Sequence, residues 1–204
     1  LYEELSRSVF FHEEFIDIIT KRYNRRLEAY DAFVEGKAIL HSLRVIDPNI
    51  SKISVKLFNN SFLCDGEYFV PADEETAGSS IFNDLMMTDA GKLWSSTYKN
   101  WKKQDVIALY TFLYEFKRGF HIAGILQIEV PQKIIHENIE AESHNKDIYI
   151  LHSNGCVVAA NDTTVIGNYM INLPYIKKAF ENNSGWFSFN INGRESLIVY
   201  NTMY

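Results

Sequence analysis

The first 35 residues contain no Gly and no Pro, and Ile16, Ile19, Tyr23, Leu27, Tyr30 and Val34 recur at spacings of three and four. That spacing is one apolar stripe of a helix. Lys21, Arg22, Arg25 and Arg26 fall mostly off the stripe and read as its solvated face. Ile39, Leu40 and Leu43 carry the pattern past Gly36, and Asp47-Pro48 stops it. The expectation is one long N-terminal helix over residues 1–47, about forty residues of which would span roughly 60 Å. A small domain does not need that length. A receptor standing off a membrane, or pairing with a second copy, could use it.

After Pro48 the period changes to two. Ile53, Val55 and Leu57 alternate with polar residues and predict a strand. Asn59-Asn60-Ser61 and Asp65-Gly66 are turn signals before Tyr68-Phe69-Val70. Residues 71–104 are less regular, with a short helical stretch at 81–87. Residues 106–116 form a strongly aromatic strand, and Gly119 turns it into a second strand at 122–130 that Pro131 closes. Residues 132–144 suit a helix, and 148–151 a strand. Ser153-Asn154-Gly155 makes a hairpin turn into Cys156-Val157-Val158. A short helix begins near Pro174, and Asn192-Gly193 between two strand-like runs gives the strongest short hairpin signal in the chain.

Each half therefore reads helix, strand, turn, strand, irregular middle and terminal antiparallel pair. This predicts an α+β chain of two small PAS-like modules behind the helix, at 48–131 and 132–204, each a central antiparallel sheet with flanking helices. The sequence starts at Leu1 and stops at Tyr204 inside a strand-like run, so it reads as a piece of a longer protein whose second module is truncated at its C-terminus.

Composition narrows the function classes. Of 204 residues, 47% are hydrophobic and 23% charged, an ordinary globular balance, and the net charge of -6 argues against a nucleic-acid partner. Cys64 and Cys156 show no metal-ligand spacing and read as two unrelated buried thiols, with a single bridge between them as the alternative. No segment is apolar and long enough to span a bilayer, so any membrane attachment would lie in segments absent from this chain. No phosphate loop, dinucleotide fingerprint, nucleophile elbow or zinc-protease helix is present, and His136-Glu137 is followed by Glu140 where a His would be needed. No cofactor or metal is expected, and the run Asp73-Glu74-Glu75 reads as a solvated loop. The remaining concentration is aromatic. Trp94, Tyr98 and Trp101 fall within eight positions of the irregular middle, and Tyr110 and Tyr114 follow on the adjacent strand. Aromatics in a loop-rich region beside a sheet are suited to lining a small-molecule pocket, or to filling the core between sheet and cover.

Three stretches bring a family into view. Asp47-Pro48-Asn49-Ile50-Ser51-Lys52-Ile53-Ser54-Val55 leads into the first sheet, and Ile122-Ala123-Gly124-Ile125-Leu126-Gln127-Ile128-Glu129-Val130 leaves the first module. Asp147 to Leu151, then Asn154 to Asp162 and Ile166-Gly167, form a strand–Asn-Gly–strand–loop–Gly segment. Their order resembles a double Cache sensor region, most like those of YesM-type bacterial sensor histidine kinases. The resemblance implies a domain outside the cytoplasmic membrane, with ligand held in the membrane-distal module and the proximal module relaying the change to a kinase that works as a homodimer. Amino-acid-binding members carry an Arg-x-Trp-Tyr cluster and a later Asp, and Lys92-Leu93-Trp94-Ser95 is the nearest match here. Lys gives no bidentate fork to a carboxylate, so a sugar or other neutral solute suits Lys92, Trp94, Tyr98, Trp101, Tyr110 and Tyr114 better. The chain itself is then not an enzyme. A chemoreceptor or cyclase output would use the same sensing fold, and a soluble binding module or a small hydrolase is the reading from another class.

Overall fold

The computed structural model describes residues 1–88, 91–117 and 119–202, without the side chains of Glu74 and Glu75. Two residues named above, Glu74 and Glu75 of the acidic run, therefore have side chains outside the described set, as does the terminal Tyr204. The chain divides into two compact units, residues 1–135 and 136–204.

The N-terminal region is not one helix but three: α1 (Tyr2–Phe10), α2 (Glu13–Thr20) and α3 (Arg26–Ile46). The first break is capped by His12, whose Nδ1 accepts the Phe15 N–H at 3.2 Å. The second is stapled from outside. The Asn59 amide donates to the Ile19 and Lys21 carbonyls at 2.9 and 2.8 Å, satisfying groups that a continuing helix would have used. Ser61 Oγ accepts the Tyr23 N–H at 3.0 Å. The apolar stripe divides accordingly. Ile16 and Ile19 are buried, while Leu27, Tyr30 and Val34 remain exposed on α3. Breaking the helix lets α1 and α2 lie on the sheet, where a straight rod would leave Phe15, Ile16, Ile18 and Ile19 in water. Each such side chain contributes about 1.5–3 kcal/mol when buried.

The first unit is built on one sheet of order β2-β1-β6-β5-β3, from β1 (Lys52–Leu57), β2 (Phe69–Pro71), β3 (Lys92–Trp94), β5 (Asp105–Glu115) and β6 (His121–Pro131), with β4 (Tyr98–Lys99) also paired to β5. All pairs are antiparallel except β1 with β2, which is parallel. Strands β5 and β6 form the expected hairpin, with eleven residues each. Both are buried on both faces, which is why they read as near-continuous apolar runs. One face carries Ile53, Val55, Leu57, Leu109, Leu113, Leu126 and Ile128, packed with Phe15, Ile19, Leu40 and Phe69 under the helices. Ser6 of α1 is fastened to Thr111 of β5 by a buried 2.7 Å hydrogen bond. The other face carries Ala108, Tyr110, Phe112 and Ile125, covered by Leu85, Ile81 and Phe82 of α5 (Ser80–Met86) and by Leu93. The helix α4 (Glu74–Gly78) before it starts at Asp73, whose side chain is its cap.

The second unit does not form the central sheet expected of it. It holds a two-stranded ribbon of β7 (Tyr149–Leu151) and β8 (Val157–Ala160), and a hairpin of β9 (Ser184–Ile191) and β10 (Arg194–Asn201). Among the described residues no strand joins the two. The hairpin turn is the one expected, with Asn192 and Gly193 both at positive φ, 52° and 84°. Helix α6 (Gln132–Glu142) follows directly on β6, and α7 (Pro174–Ala179) opens on its proline.

Gly124 sits where two strands meet most tightly. A Cβ there would lie 2.5 Å from the Lys56 carbonyl oxygen. Gly124→Ala is expected to cost about 1–3 kcal/mol through forced separation of β1 and β6, read as a lower urea midpoint. Gly78→Ala, with nothing within 4 Å, should stay within about 0.5 kcal/mol. Equal midpoints for the two variants would show that this contact does not constrain the sheet.

Candidate functional site

Side chains alternate across a strand, so register decides which residues share a face. On β5 and β6 the pairs Phe112↔Ile125, Tyr110↔Gln127 and Ala108↔Glu129 lie on the face away from the N-terminal helices, and β1 adds Ser54 opposite Gln127. Tyr98 pairs with Val106 and joins the same face. The result is a polar cluster set in an apolar bed.

The cluster is tightly connected. The Tyr98 hydroxyl donates to Glu129 Oε1 at 3.0 Å. The Gln127 amide shares its two N–H groups among three acceptors: Tyr98 at 2.9 Å, Tyr110 at 3.2 Å and Glu129 Oε1 at 3.0 Å. Glu129 is only 4% exposed. Its second oxygen, Oε2, has no hydrogen-bond partner, and neither does Ser54 Oγ on the adjacent strand. Orphaned buried polar atoms are rare, because each costs about 1–3 kcal/mol of lost solvation and a charged one costs more. Burial pushes both phenols upward. Tyr98 is raised very far, first by desolvation and then by Tyr110 and the Glu129 carboxylate. Tyr110 is raised by desolvation, opposed by its contact with Tyr98. The face is thus prepared with acceptors and neutral hydroxyls, and what it lacks is a donor for Glu129 Oε2.

The residues singled out from the sequence are divided by this geometry. Tyr98 and Tyr110 belong to the cluster. Tyr114 lies farther along the same apolar bed, stacked on Phe120 and edge-on to Phe112 and Phe10. Lys92 and Trp94 are on the opposite face, since their partners are Thr111 and Leu109. Trp94 packs into the core under the helices and meets the Tyr2 ring edge-on at 6.2 Å. Trp101 is 77% exposed in the turn after β4, beneath the Lys102 ammonium. Sequence reasoning passed over Gln127, Glu129 and Ser54. Their signal was present: Gln127 and Glu129 are two polar residues at i and i+2 in a run, 122–131, that is otherwise apolar.

A separate groove of about 650 Å³ opens between α2 and α3, lined by acidic side chains including Glu13, Asp17, Glu28, Asp31 and Glu35. It lies on the helical side, away from Glu129. Among the described residues no group of His, Cys, Asp and Glu could hold a metal ion, both cysteines are free, and no helix is long and apolar enough to cross a membrane.

No family model and no curated relative matches the chain. Solved structures do. The chain superposes on an extracellular domain assigned to the histidine kinase mmHK1S-Z2, with a TM-score of 0.60 at 10% identity, covering 98% of this chain and 85% of that one. It also superposes on the ligand-binding domain of the Campylobacter jejuni chemoreceptor Tlp3 in complex with 4-methylisoleucine, with a TM-score of 0.54 at 16% identity, covering 96% and 77%. The ligand-binding domain of the Pseudomonas fluorescens chemoreceptor CtaA in complex with L-leucine gives 0.51 at 9%, covering 96% and 78%. The fold is that of extracellular sensor domains. At these identities the likeness speaks for the fold alone.

The raised phenols carry a pH signature. A group whose folded pKa exceeds its unfolded value supports the fold below the unfolded pKa and loses that support as pH rises. With 10.0 as the ordinary tyrosine value, stability should hold up to about pH 10 and then fall, at about 1.4 kcal/mol per pH unit for each such proton. Tyr98→Phe removes one of these protons and should make the alkaline fall in unfolding free energy shallower. An unchanged slope would mean that Tyr98 ionises as freely as an exposed tyrosine.

Proposed function

We propose that this chain is the small-molecule sensing region of a bacterial membrane receptor, lying outside the cytoplasmic membrane and holding its ligand on the Tyr98–Tyr110–Gln127–Glu129 face of the first unit. The observation that carries the reading is Glu129, a carboxylate buried at 4% exposure with Oε2 unpartnered beside an unpartnered Ser54 Oγ. Such an arrangement is costly for stability alone, and it is relieved by a ligand that donates hydrogen bonds to it. The ligand is a small solute with such donors, an ammonium compound or a polyol. Tyr98 and Tyr110 supply aromatic surface, while Leu85, Phe112 and Ile125 supply the apolar floor. Two lysines of β1 on this face, Lys52 and Lys56, are available to an anionic group of the same solute. The neighbours with bound 4-methylisoleucine and L-leucine support an amino compound as the first class to test.

The chain works in this reading as a receiver and not as a catalyst. Ligand contacts on β1 and β6 favour one arrangement of the sheet, and they shift the receptor only by the difference in affinity between its two states. β6 runs without interruption into α6, which leads the chain into the second unit. The output we propose is a histidine kinase acting as a dimer. A chemoreceptor output is the second reading, supported by the Tlp3 and CtaA likenesses.

The test is a thermal-shift screen of amino acids, amines, sugars and organic acids, since a ligand that binds only the folded state raises the melting temperature. A hit should lose its shift in Glu129→Gln, which keeps the volume and removes the charge, and the ligand-free melting temperature of that variant should equal or exceed the parent's. Amines and polyols are told apart by which arm gives the hit. A hit whose shift survives both Glu129→Gln and Tyr98→Phe would place the site elsewhere.

A further inference from the structure

Five aromatic rings gather at the tip of the β5–β6 hairpin, where it meets the joint between α1 and α2. Phe10 touches Phe11, Phe116 and Tyr114, with ring centroids 4.9, 5.4 and 6.1 Å apart. Phe120 closes the set, 5.3 Å from Phe116 and stacked on Tyr114 at 5.2 Å. Three of these rings face water: Phe11 is 65%, Phe120 64% and Phe116 45% exposed. Apolar side chains scattered over a surface need no explanation, but rings that touch one another in water mark a contact surface. The backbone gives a second sign. Phe120 stands at φ 57°, in the left-handed region that a bulky side chain avoids. Strain of this kind persists where a position is held for function, and here it holds a phenyl ring in solvent.

The tip is fastened beside the acidic groove. Lys117, next to Phe116, reaches from the hairpin to α2, where its ammonium lies 2.6 Å from Asp17 and 3.8 Å from Glu13. Phe11 precedes His12, the cap of α2, so the rings stand at the end of α2 where the groove begins. The groove takes Glu13, Asp17 and Lys21 from one face of α2, and Glu28, Asp31 and Glu35 from one face of α3, at the spacings of three and four that align side chains on a helix. Six carboxylates line it against two ammonium groups, Lys21 and Lys117, so negative charge is in excess. Arg118, between Lys117 and Gly119, lies outside the described residues.

We propose that the aromatic tip and the groove together dock a cationic amphipathic peptide, with its apolar side chains on Phe11, Phe116 and Phe120 and its Lys or Arg side chains along α2 and α3. The rings carry the proposal, and the carboxylates decide the sign of the partner. Lys and Arg gain from both parts, since a cation pairs with a carboxylate and also sits favourably over an aromatic face. A groove of about 650 Å³ admits one peptide segment and excludes a folded domain. A bilayer cannot follow a groove, and its anionic headgroups would meet carboxylates. The surface shares no residue with the Tyr98–Tyr110–Gln127–Glu129 face, so this proposal and the small-molecule reading are tested separately.

The probe is a fluorescently labelled helical peptide of about five turns with Leu on one face and Lys on the other, titrated with the 204-residue chain and followed by anisotropy. Saturable binding that weakens with salt is expected. Phe120→Asn and Phe11→Ser should each weaken it by about tenfold. Asn accepts the left-handed backbone, so the melting temperature of Phe120→Asn should stay near the parent's. The triple variant Glu28→Gln, Asp31→Asn, Glu35→Gln should weaken binding by a similar factor and flatten its salt dependence, again with the melting temperature kept, because all three positions are exposed. A peptide with Ser in place of Leu should bind at least about tenfold more weakly, and one with Glu in place of Lys should not bind. Four results would each overturn the proposal: no binding of the Lys–Leu peptide, binding indifferent to both Phe120→Asn and Phe11→Ser, equal binding of the Glu–Leu peptide, or attachment to phosphatidylcholine vesicles that Phe120→Asn abolishes while peptide binding is unaffected.

Discussion

The antiparallel hairpin of β5 and β6 is the constraint on which the rest of the first unit depends. Both strands are eleven residues long, and both are buried on both faces. Each side chain must therefore go to one of two interiors, and neither interior is optional. The odd positions of β5 and even positions of β6 require an apolar cover, which α1 and α2 supply only by leaving the line of α3. The Asn59 staple on the end of α2 is thus a consequence of the hairpin: the helix must stop where the sheet needs it to turn. The opposite face receives Tyr110, Gln127 and Glu129 by the same alternation.

A fold chosen for stability would not place a carboxylate at that point. A carboxylate buried at 4% exposure with one oxygen unpartnered is among the costlier features a core can hold, and replacing such groups by apolar residues commonly stabilises. Here Gln127 and Tyr98 orient the carboxylate and satisfy one oxygen while the other remains free. Half-satisfied polar networks are disfavoured in a purely structural core. On the proposed reading, the asymmetry belongs to a group held ready for a ligand. The hydroxyl of Ser54 points to the same conclusion from a different strand.

The legible parts of the sequence were those decided locally. The aromatic hairpin, the Asn192-Gly193 turn and the Pro174 helix start depend on a few adjacent residues, and each stands in the structure where its residues place it. Two things were not local. The helix over residues 1–47 has no Gly or Pro at its breaks, and what ends α2 is a side chain forty positions away. Lys92 and Trp94 were grouped with Tyr98 by closeness in sequence, but strand register sends them to the other side of the sheet. Face assignment follows from pairing, and pairing is a tertiary fact. Glu129 could have been found from its parity with Gln127 in an apolar strand, because a period of two is visible in sequence even when its direction is not.

The two exceptional surfaces of the first unit lie on opposite sides of the same strands. Glu129 and Ser54 project from one face of β6 and β1, and the helices lie against the other. Between them there is no compressible layer: Val55, Leu126 and Ile128 are fully buried and close-packed. A change in the spacing of β1 and β6 cannot be absorbed there, because Gly124 already brings the Lys56 carbonyl to the limit of approach. It is passed toward α3, which packs on β1 and, at the Gly36 gap, on Phe69 of β2, where a Cβ would meet the ring at 3.0 Å. On the proposed reading, a contact made at the unsatisfied carboxylate of β6 is therefore felt on the helical side of the sheet.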